Sequence, residues 1–189
     1  MLLALFGGGI FLITTFLATW GRADNLDLQW FDAIYRMDFL HPSYWLVLTQ
    51  LGSIFALIIA TAVAWIARKT NIALMLAGSG LISYCVCWIV KEIIARPRPY
   101  VLLPSIQSHD WSAVGYGYPS AHAAIAASIV CVFYPLIKKP FRPLLLIPLV
   151  VVALSRIFLG VHTPLDVVGG VAVGAGVVGA MEYFINKKA

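Results

Sequence analysis

Apolar runs of membrane-crossing length recur along this 189-residue chain, and they leave it few ways to fold. About 20 apolar residues cross a hydrocarbon layer of about 30 Å as a helix. Runs near that length lie at about 2–20, 44–67, 71–93, 119–137, 143–161 and 164–186. Hydrophobic residues make up 61% of the chain and charged residues 11%, against about 25% charged in soluble domains. The pattern predicts an all-α protein: a polytopic membrane helical bundle with six transmembrane helices, one integral-membrane domain over residues 1–189. The first run lacks a basic leader and a small-residue cleavage site, so it reads as a helix of the mature protein.

Charge placement then sets orientation. The formal net charge is +5, but a nucleic-acid surface would gather its cations on one solvated face. Here Arg68 and Lys69 follow the second run, Lys138, Lys139 and Arg142 the fourth, and Lys187 and Lys188 the sixth. Six crossings put all of them on one side, which the positive-inside rule assigns to the cytoplasm. The other connections then face outward. Cys85, Cys87 and Cys131 all fall inside apolar runs, which argues for packing roles rather than a disulfide framework.

Between the first two runs, DNLDLQWFDAIYRMDF places Leu26, Trp30, Ile34 and Met37 roughly on one helical face. It reads as an interfacial helix, either a connector or a gate for substrate. The 25 residues after Ile93 are rich in Pro, Gly, Ser and aromatics, and connections of that length are often functional. Gly170 and Gly174, in GxxxG register, predict close helix packing within the domain.

Three stretches carry polar groups that a membrane protein has to justify: KEIIARPRP (Lys91–Pro99), PSAH (Pro119–His122) and SRIFLGVHTPLD (Ser155–Asp166). A charge at the bilayer centre costs about 2.5–3.5 kcal/mol even on a lenient scale. In the first, each proline restricts the residue before it, so the chain leaves its helix and Arg98 can turn back toward Lys91. Arg offers a planar fork to phosphate oxygens and Lys a compact charge. Taken alone, the two also fit cations reaching for the interface. In the second, Pro119 suits a first helical position and Ser120 a cap. The N–H groups of Ala121 and His122 would then face an anion. In the third, Thr163 reads as an N-cap, Pro164 as the first helical residue and Asp166 as the third. Asp166 can serve that helix start, or hold one nitrogen of His162 and leave the other aimed. Arg156, within a run, needs an anionic partner, which a phosphate would supply.

Taken together, Lys91, Arg98 and Arg156 offer three positive charges to a phosphate carrying about two negative ones. His162 is placed to attack phosphorus and His122 to protonate the leaving oxygen and then activate water. Fixed cations meet the main demand of phosphoryl transfer. No carboxylate cluster or His/Cys spacing predicts a metal, and no cofactor is expected. His41 and His109 lack such partners and read as interfacial or loop residues, and Glu182 as reaching water at the cytoplasmic end.

These residues resemble the type 2 phosphatidic acid phosphatase superfamily, whose signature is K-x6-RP, PSGH and SR-x5-H-x3-D. Here they are Lys91 with Arg98 and Pro99, then Pro119 to His122, then Ser155, Arg156, His162 and Asp166, spanning residues 91–166. The resemblance implies phosphate binding by Lys91, Arg98, Ser120, Ala121 and Arg156, with His122 as acid, His162 as nucleophile and Asp166 orienting it. Ala121 departs from the usual Gly, and its methyl group bears on pocket fit. The implied activity is hydrolysis of a lipid phosphate ester or anhydride at the outer face of a bacterial cell membrane. The candidate lipids are undecaprenyl pyrophosphate, phosphatidylglycerophosphate, phosphatidate and lipid A phosphates. Phosphoryl transfer to another lipid, or a non-catalytic membrane binder or transporter, are the competing readings.

Overall fold

The computed structural model describes residues 1–37 and 39–187, with side chains undescribed at 21–24; Asp38, Lys188 and Ala189 lie outside it. Every regular element among the described residues is helical. They are α1 (Leu2–Thr19), α2 (Gly21–Tyr35), α3 (Pro42–Leu48), α4 (Ile54–Ile66), α5 (Thr70–Ile94), α6 (Pro99–Leu102), α7 (Ala121–Phe133), α8 (Leu146–Phe158) and α9 (Pro164–Asn186), with short 3₁₀ turns between some of them.

Length and composition single out four runs able to cross a membrane: Leu2–Thr19, Thr70–Leu102, Lys139–Phe158 and Pro164–Asn186. A fifth arises if Pro42–Gly52 and Ile54–Ile66, bent by 46°, count as one crossing. The remaining expected run, the fourth at 119–137, is a shorter apolar helix, Ala121–Leu136. Leu5, Phe6, Leu12, Ile59 and Trp65 are exposed, as a lipid-facing surface requires.

The bend in the second run has a cause. Ser53 starts α4 by accepting the Ala56 N–H at 3.3 Å, and Gly52 lies so close to the His122 carbonyl that a Cβ there would collide with it. The 3₁₀ turn Thr49–Gly52 thereby carries Thr49 into the protein interior. At the end of α5 the chain turns through Ala95 in the left-handed region (φ 50°), and Pro97 follows. That stop matches the expectation from RPRP.

The last helix, α9, is the spine of the bundle, packing against α1, α5 and α7. Gly170 lies against the Ser120 carbonyl and Gly174 against the Ala124 carbonyl, so the backbones of α7 and α9 touch. The expected close packing of these glycines is therefore internal. Ser83 and Ser128 share a 3.0 Å hydrogen bond between α5 and α7, a polar contact suited to a setting without water. The three cysteines are free thiols.

The interfacial segment is helical, and most of its expected apolar face is left exposed, with Ile34 partly buried. Leu26, Trp30 and Met37 are exposed, while Phe31 and Asp27 are buried. Phe31 packs with Ile106, Ala123, Ile157 and Val167. The apolar spacing predicted the face left for the membrane surface rather than the face that docks. His41 caps α3, its ring accepting the Ser43 N–H at 3.4 Å.

Gly174→Ala would force the α7–α9 backbones apart, an overpacking that costs about 1–3 kcal/mol. Gly9, with open space around its Cβ position, is the control. Thermal unfolding in detergent is expected to shift down for Gly174→Ala and to stay at the wild-type temperature for Gly9→Ala.

Candidate active site

One end of the bundle gathers the three polar stretches. The end of α5 brings Lys91, the segment after it Arg98, the first turn of α7 Ala121 and His122, the last turn of α8 Arg156, and the turn before α9 His162. All six line one cavity of about 410 Å³. Ser120 stands directly before Ala121 and is wholly buried, and its N–H donates to the Asp166 carbonyl at 2.9 Å. Every site residue expected from sequence thus falls at this one junction.

The cations are held in two different ways. Lys91 Nζ donates to the carbonyls of Tyr116 (2.8 Å) and Gly117 (2.7 Å). Arg98 donates to the carbonyls of Gly115 (3.0 Å), Val114 (3.0 Å) and Val161 (2.9 Å). Carbonyls satisfy the donors but leave the full positive charge in place. Arg156 is different: its Nη1 pairs with Asp110 Oδ2 at 3.0 Å and with Thr49 Oγ1 at 3.0 Å. Burial pushes the Asp110 carboxyl up, but the Ser112 hydroxyl and Arg156 outweigh it and hold the group below its ordinary range. Arg156 thus has an anionic partner in Asp110, from the long connection, while its Nε stays unpaired beside the cavity. Asp110 cancels one of the three positive charges.

Two buried polar atoms remain without a hydrogen-bond partner here, Ser120 Oγ and Arg156 Nε. Unpaired buried donors are costly, about 1–3 kcal/mol each, and mark places where a ligand atom belongs. Ser120 is the N-cap residue of α7 but makes no side-chain cap, and Pro119 precedes it instead of opening the helix. Its hydroxyl is left for something other than the helix. The N–H groups of Ala121 and His122 sit in the first turn of α7, where no carbonyl of that helix reaches them. Orphan atoms, helix start and fixed cations together suit a tetrahedral anion.

The third stretch satisfies both of its readings at once. Thr163 caps α9 with Pro164 at its start, and Asp166 completes a capping box. Asp166 Oδ2 accepts the Thr163 N–H at 3.0 Å and also lies 3.3 Å from His162 Nδ1. His162 Nε2 lies 3.3 Å from Arg98 Nη1. An arginine can only donate, so Nε2 must accept, and the ring proton then sits on Nδ1 and points at Asp166. Burial, followed by Arg98, Lys91 and Arg156, holds the His162 imidazole well below its ordinary value of 6.5. The ring is neutral at neutral pH, and its Nε2 lone pair accepts from Arg98. Ser155, by contrast, bonds back to the Val152 carbonyl of its own helix at 2.7 Å. His109, in the connecting loop, is held by a backbone N–H to the Leu159 carbonyl at 3.0 Å.

Sequence reasoning missed Asp27, Thr49, Arg96 and Asp110. Arg96 bonds Asp166 Oδ1 at 2.7 Å and Asp27 Oδ2 at 2.8 Å. The signal for Arg96 was present in RPRP, whereas Asp27 and Asp110 become buried only through tertiary contacts. Among the described residues, no group of three or more His, Cys, Asp or Glu gathers as metal ligands.

The comparisons with known proteins bear on the same residues. The family model described as the PAP2 superfamily matches residues 69–189, which include all three stretches. A decaprenylphosphoryl-5-phosphoribose phosphatase of Mycobacterium tuberculosis is 31% identical over 135 residues, covering 71% of this chain and 68% of the relative. An undecaprenyl-diphosphatase of Sulfolobus acidocaldarius is 30% identical over 129 residues, covering 68% of this chain and 63% of the relative. Among solved structures, the transmembrane PAP2 type phosphatidylglycerolphosphate phosphatase of Bacillus subtilis has the same fold, with a TM-score of 0.78 at 23% identity over 96% of each chain. By the span of the family match and the identity to these relatives, the chain belongs to the PAP2 superfamily.

Proposed function

We propose that this membrane protein is a metal-independent lipid phosphatase that hydrolyses a phosphate monoester or pyrophosphate through a phosphohistidine on His162. The observation that carries the reading is the His162 ring. Its Nδ1 faces Asp166 at 3.3 Å, its Nε2 accepts from Arg98 at 3.3 Å, and the residue lines a cavity together with Lys91, Arg98, Arg156 and His122. Nε2 attacks phosphorus in line, the P–O bond to the leaving group breaks, and His122 delivers the proton that oxygen needs. His122 then takes a proton from water, which attacks the phosphohistidine and frees phosphate and the ring. Lys91, Arg98, Arg156 Nε, the N–H groups of the α7 start and Ser120 Oγ hold the equatorial oxygens throughout. Ala121 sets the width of that seat with its methyl group.

Tyr84 and Trp88 line the cavity on the α5 side, and Trp88 is exposed to the apolar surroundings. An aromatic wall next to the cations suits a phosphate carried on a lipid. The named activities of the relatives, on decaprenylphosphoryl-5-phosphoribose, undecaprenyl diphosphate and phosphatidylglycerolphosphate, make polyprenyl and glycerolipid phosphates the substrates to try first.

Orientation follows from six crossings, with the bent pair Pro42–Ile66 as the second and Ala121–Leu136 as the fourth. A second cavity, lined by Asn71, Leu136, Glu182 and Asn186, marks the end of the bundle away from the site. The basic turns at Arg68–Lys69 and Lys138–Arg142 belong to that end, which the positive-inside rule makes cytoplasmic. The site then opens outward, and Trp111, 90% exposed in the long connection, suits the membrane interface.

Purified protein with EDTA, assayed across undecaprenyl pyrophosphate, phosphatidylglycerophosphate and phosphatidate, is expected to release phosphate. His162→Ala is expected to lose about a thousandfold or more in kcat and to form no acid-labile phosphoenzyme. Unchanged release by that variant overturns the nucleophile assignment. His122→Ala is expected to lose about 10²–10⁴-fold on lipid esters; with p-nitrophenyl phosphate, whose leaving group needs no proton, it is expected to keep the first-turnover release of p-nitrophenol and to accumulate the phosphoenzyme. A cysteine introduced at His109 is expected to react with an impermeant reagent in intact cells. Reaction only after permeabilisation overturns the outward orientation.

A further inference from the structure

Asp27 and Arg96 are buried ionic groups that the mechanism above does not use. Arg96 is the first arginine of RPRP, and Asp27 comes from α2 on the membrane-surface segment. Arg96 Nη1 donates to Asp166 Oδ1 at 2.7 Å and to Thr163 Oγ1 at 2.8 Å. Its Nη2 donates to Asp27 Oδ2 at 2.8 Å, and Asp27 Oδ1 accepts the Leu165 N–H at 2.9 Å. Exposure is 4% at Arg96, 8% at Asp27 and zero at Asp166. Neither Arg96 nor Asp27 lines the cavity.

Burying a charge cluster of this kind is a poor way to gain stability, because desolvation offsets most of the attraction. The local structural need is already met, since Thr163, Pro164 and Asp166 start α9 by themselves. What the pair adds is control over the Asp166 carboxylate. With Oδ1 held by Arg96, the plane of the carboxylate is fixed, and so is the direction in which Oδ2 meets His162 Nδ1. A planar guanidinium bridging two carboxylates cannot swing as a lysine could. We propose that Arg96 and Asp27 are positioning residues for the reaction, fixing the tautomer and aim of His162 through Asp166. This inference rests on the reading of His162 as the nucleophile.

The charged groups around the ring come from every packed element. They are Lys91 and Arg98 from α5 and the segment beyond, His122 from α7, Arg156 from α8 with its partner Asp110, and Asp166 from α9. Arg96 and Asp27 stand behind Asp166 with opposite signs. Removing the Arg96 charge favours the imidazolium, and removing the Asp27 charge disfavours it. The two substitutions therefore shift His162 in opposite directions, which loss of packing does not do.

Full-length protein labelled with ¹⁵N-histidine in detergent gives the His162 protonation midpoint and the Nδ1–H tautomer by NMR. The pH profile of kcat is measured in parallel on the best lipid substrate. Arg96→Gln is expected to raise the midpoint by about one unit and to move the acid limb of kcat up with it. Asp27→Asn, the milder change should Arg96→Gln not fold, is expected to move both down by a smaller amount. Both are expected to lower kcat about ten- to a hundredfold with KM near wild type. Asp27→Glu, which keeps the charge, retains the wild-type midpoint. Midpoints that move together, or stay fixed while kcat falls with thermal stability, assign the pair to packing and overturn the proposal. If the wild type hydrolyses no lipid, the catalytic reading fails by itself, and the NMR midpoints still decide whether the pair positions the ring.

Discussion

Two backbones in contact hold this site together. Gly170 and Gly174 let α9 lie directly on α7, and at the top of that seam the Ser120 N–H bonds the Asp166 carbonyl at 2.9 Å. Without a hydrophobic drive between helices in lipid, such close contact is how helix pairs gain their packing energy. The seam joins two of the three polar stretches, so the helix start carrying Ser120, Ala121 and His122 and the turn carrying His162 move as one body. The first stretch, Lys91–Pro99, is tied to them through Arg96, which reaches the Asp166 carboxylate at 2.7 Å. Strain anywhere along α7 and α9 is therefore felt at the histidines.

Charge is handled by two separate means at this junction. Lys91 and Arg98 donate to main-chain carbonyls, which leaves their charge uncancelled beside the cavity. Arg96 and Arg156 are matched with Asp27, Asp166 and Asp110. The first pair suits attraction of an anion, and the second pair suits geometry, because a paired guanidinium fixes what it touches. Arg156 belongs partly to both, since its Nε is unpaired while its Nη1 is engaged. The cavity is thus less positive than three free cations would make it.

Much of this was legible in the residues. Helical membrane architecture followed from apolar run length, the stop after α5 from RPRP, and the α9 start from Thr163, Pro164 and Asp166. Five of the six cavity positions, Lys91, Arg98, His122, Arg156 and His162, stood out by residue type, because cations and imidazoles inside an apolar chain demand a partner. What escaped was long-range. Nothing local to Asp27 distinguishes it from the other acidic residues of its segment, and its burial depends on Phe31 docking that face of α2. Asp110 looked like a loop residue because its partner Arg156 is 46 positions away. The break at Gly52–Ser53 was hidden within a continuous apolar run, since only the approach of the His122 carbonyl reveals why a glycine stands there.

The carbonyl bonds to Lys91 and Arg98 have an evolutionary consequence. A main-chain oxygen is supplied by any residue, so the anion seat makes few demands on side-chain identity in the loop that frames it. Gly115, with φ +72°, and Gly117, crowded by Asp166, are tied to their backbone positions. Val114 and Tyr116 give the seat only their carbonyls while both line the cavity. Those two positions can drift under selection for a new lipid headgroup while the cations stay where they are. One scaffold can in this way yield descendants of different substrate preference by exchange of a few loop side chains.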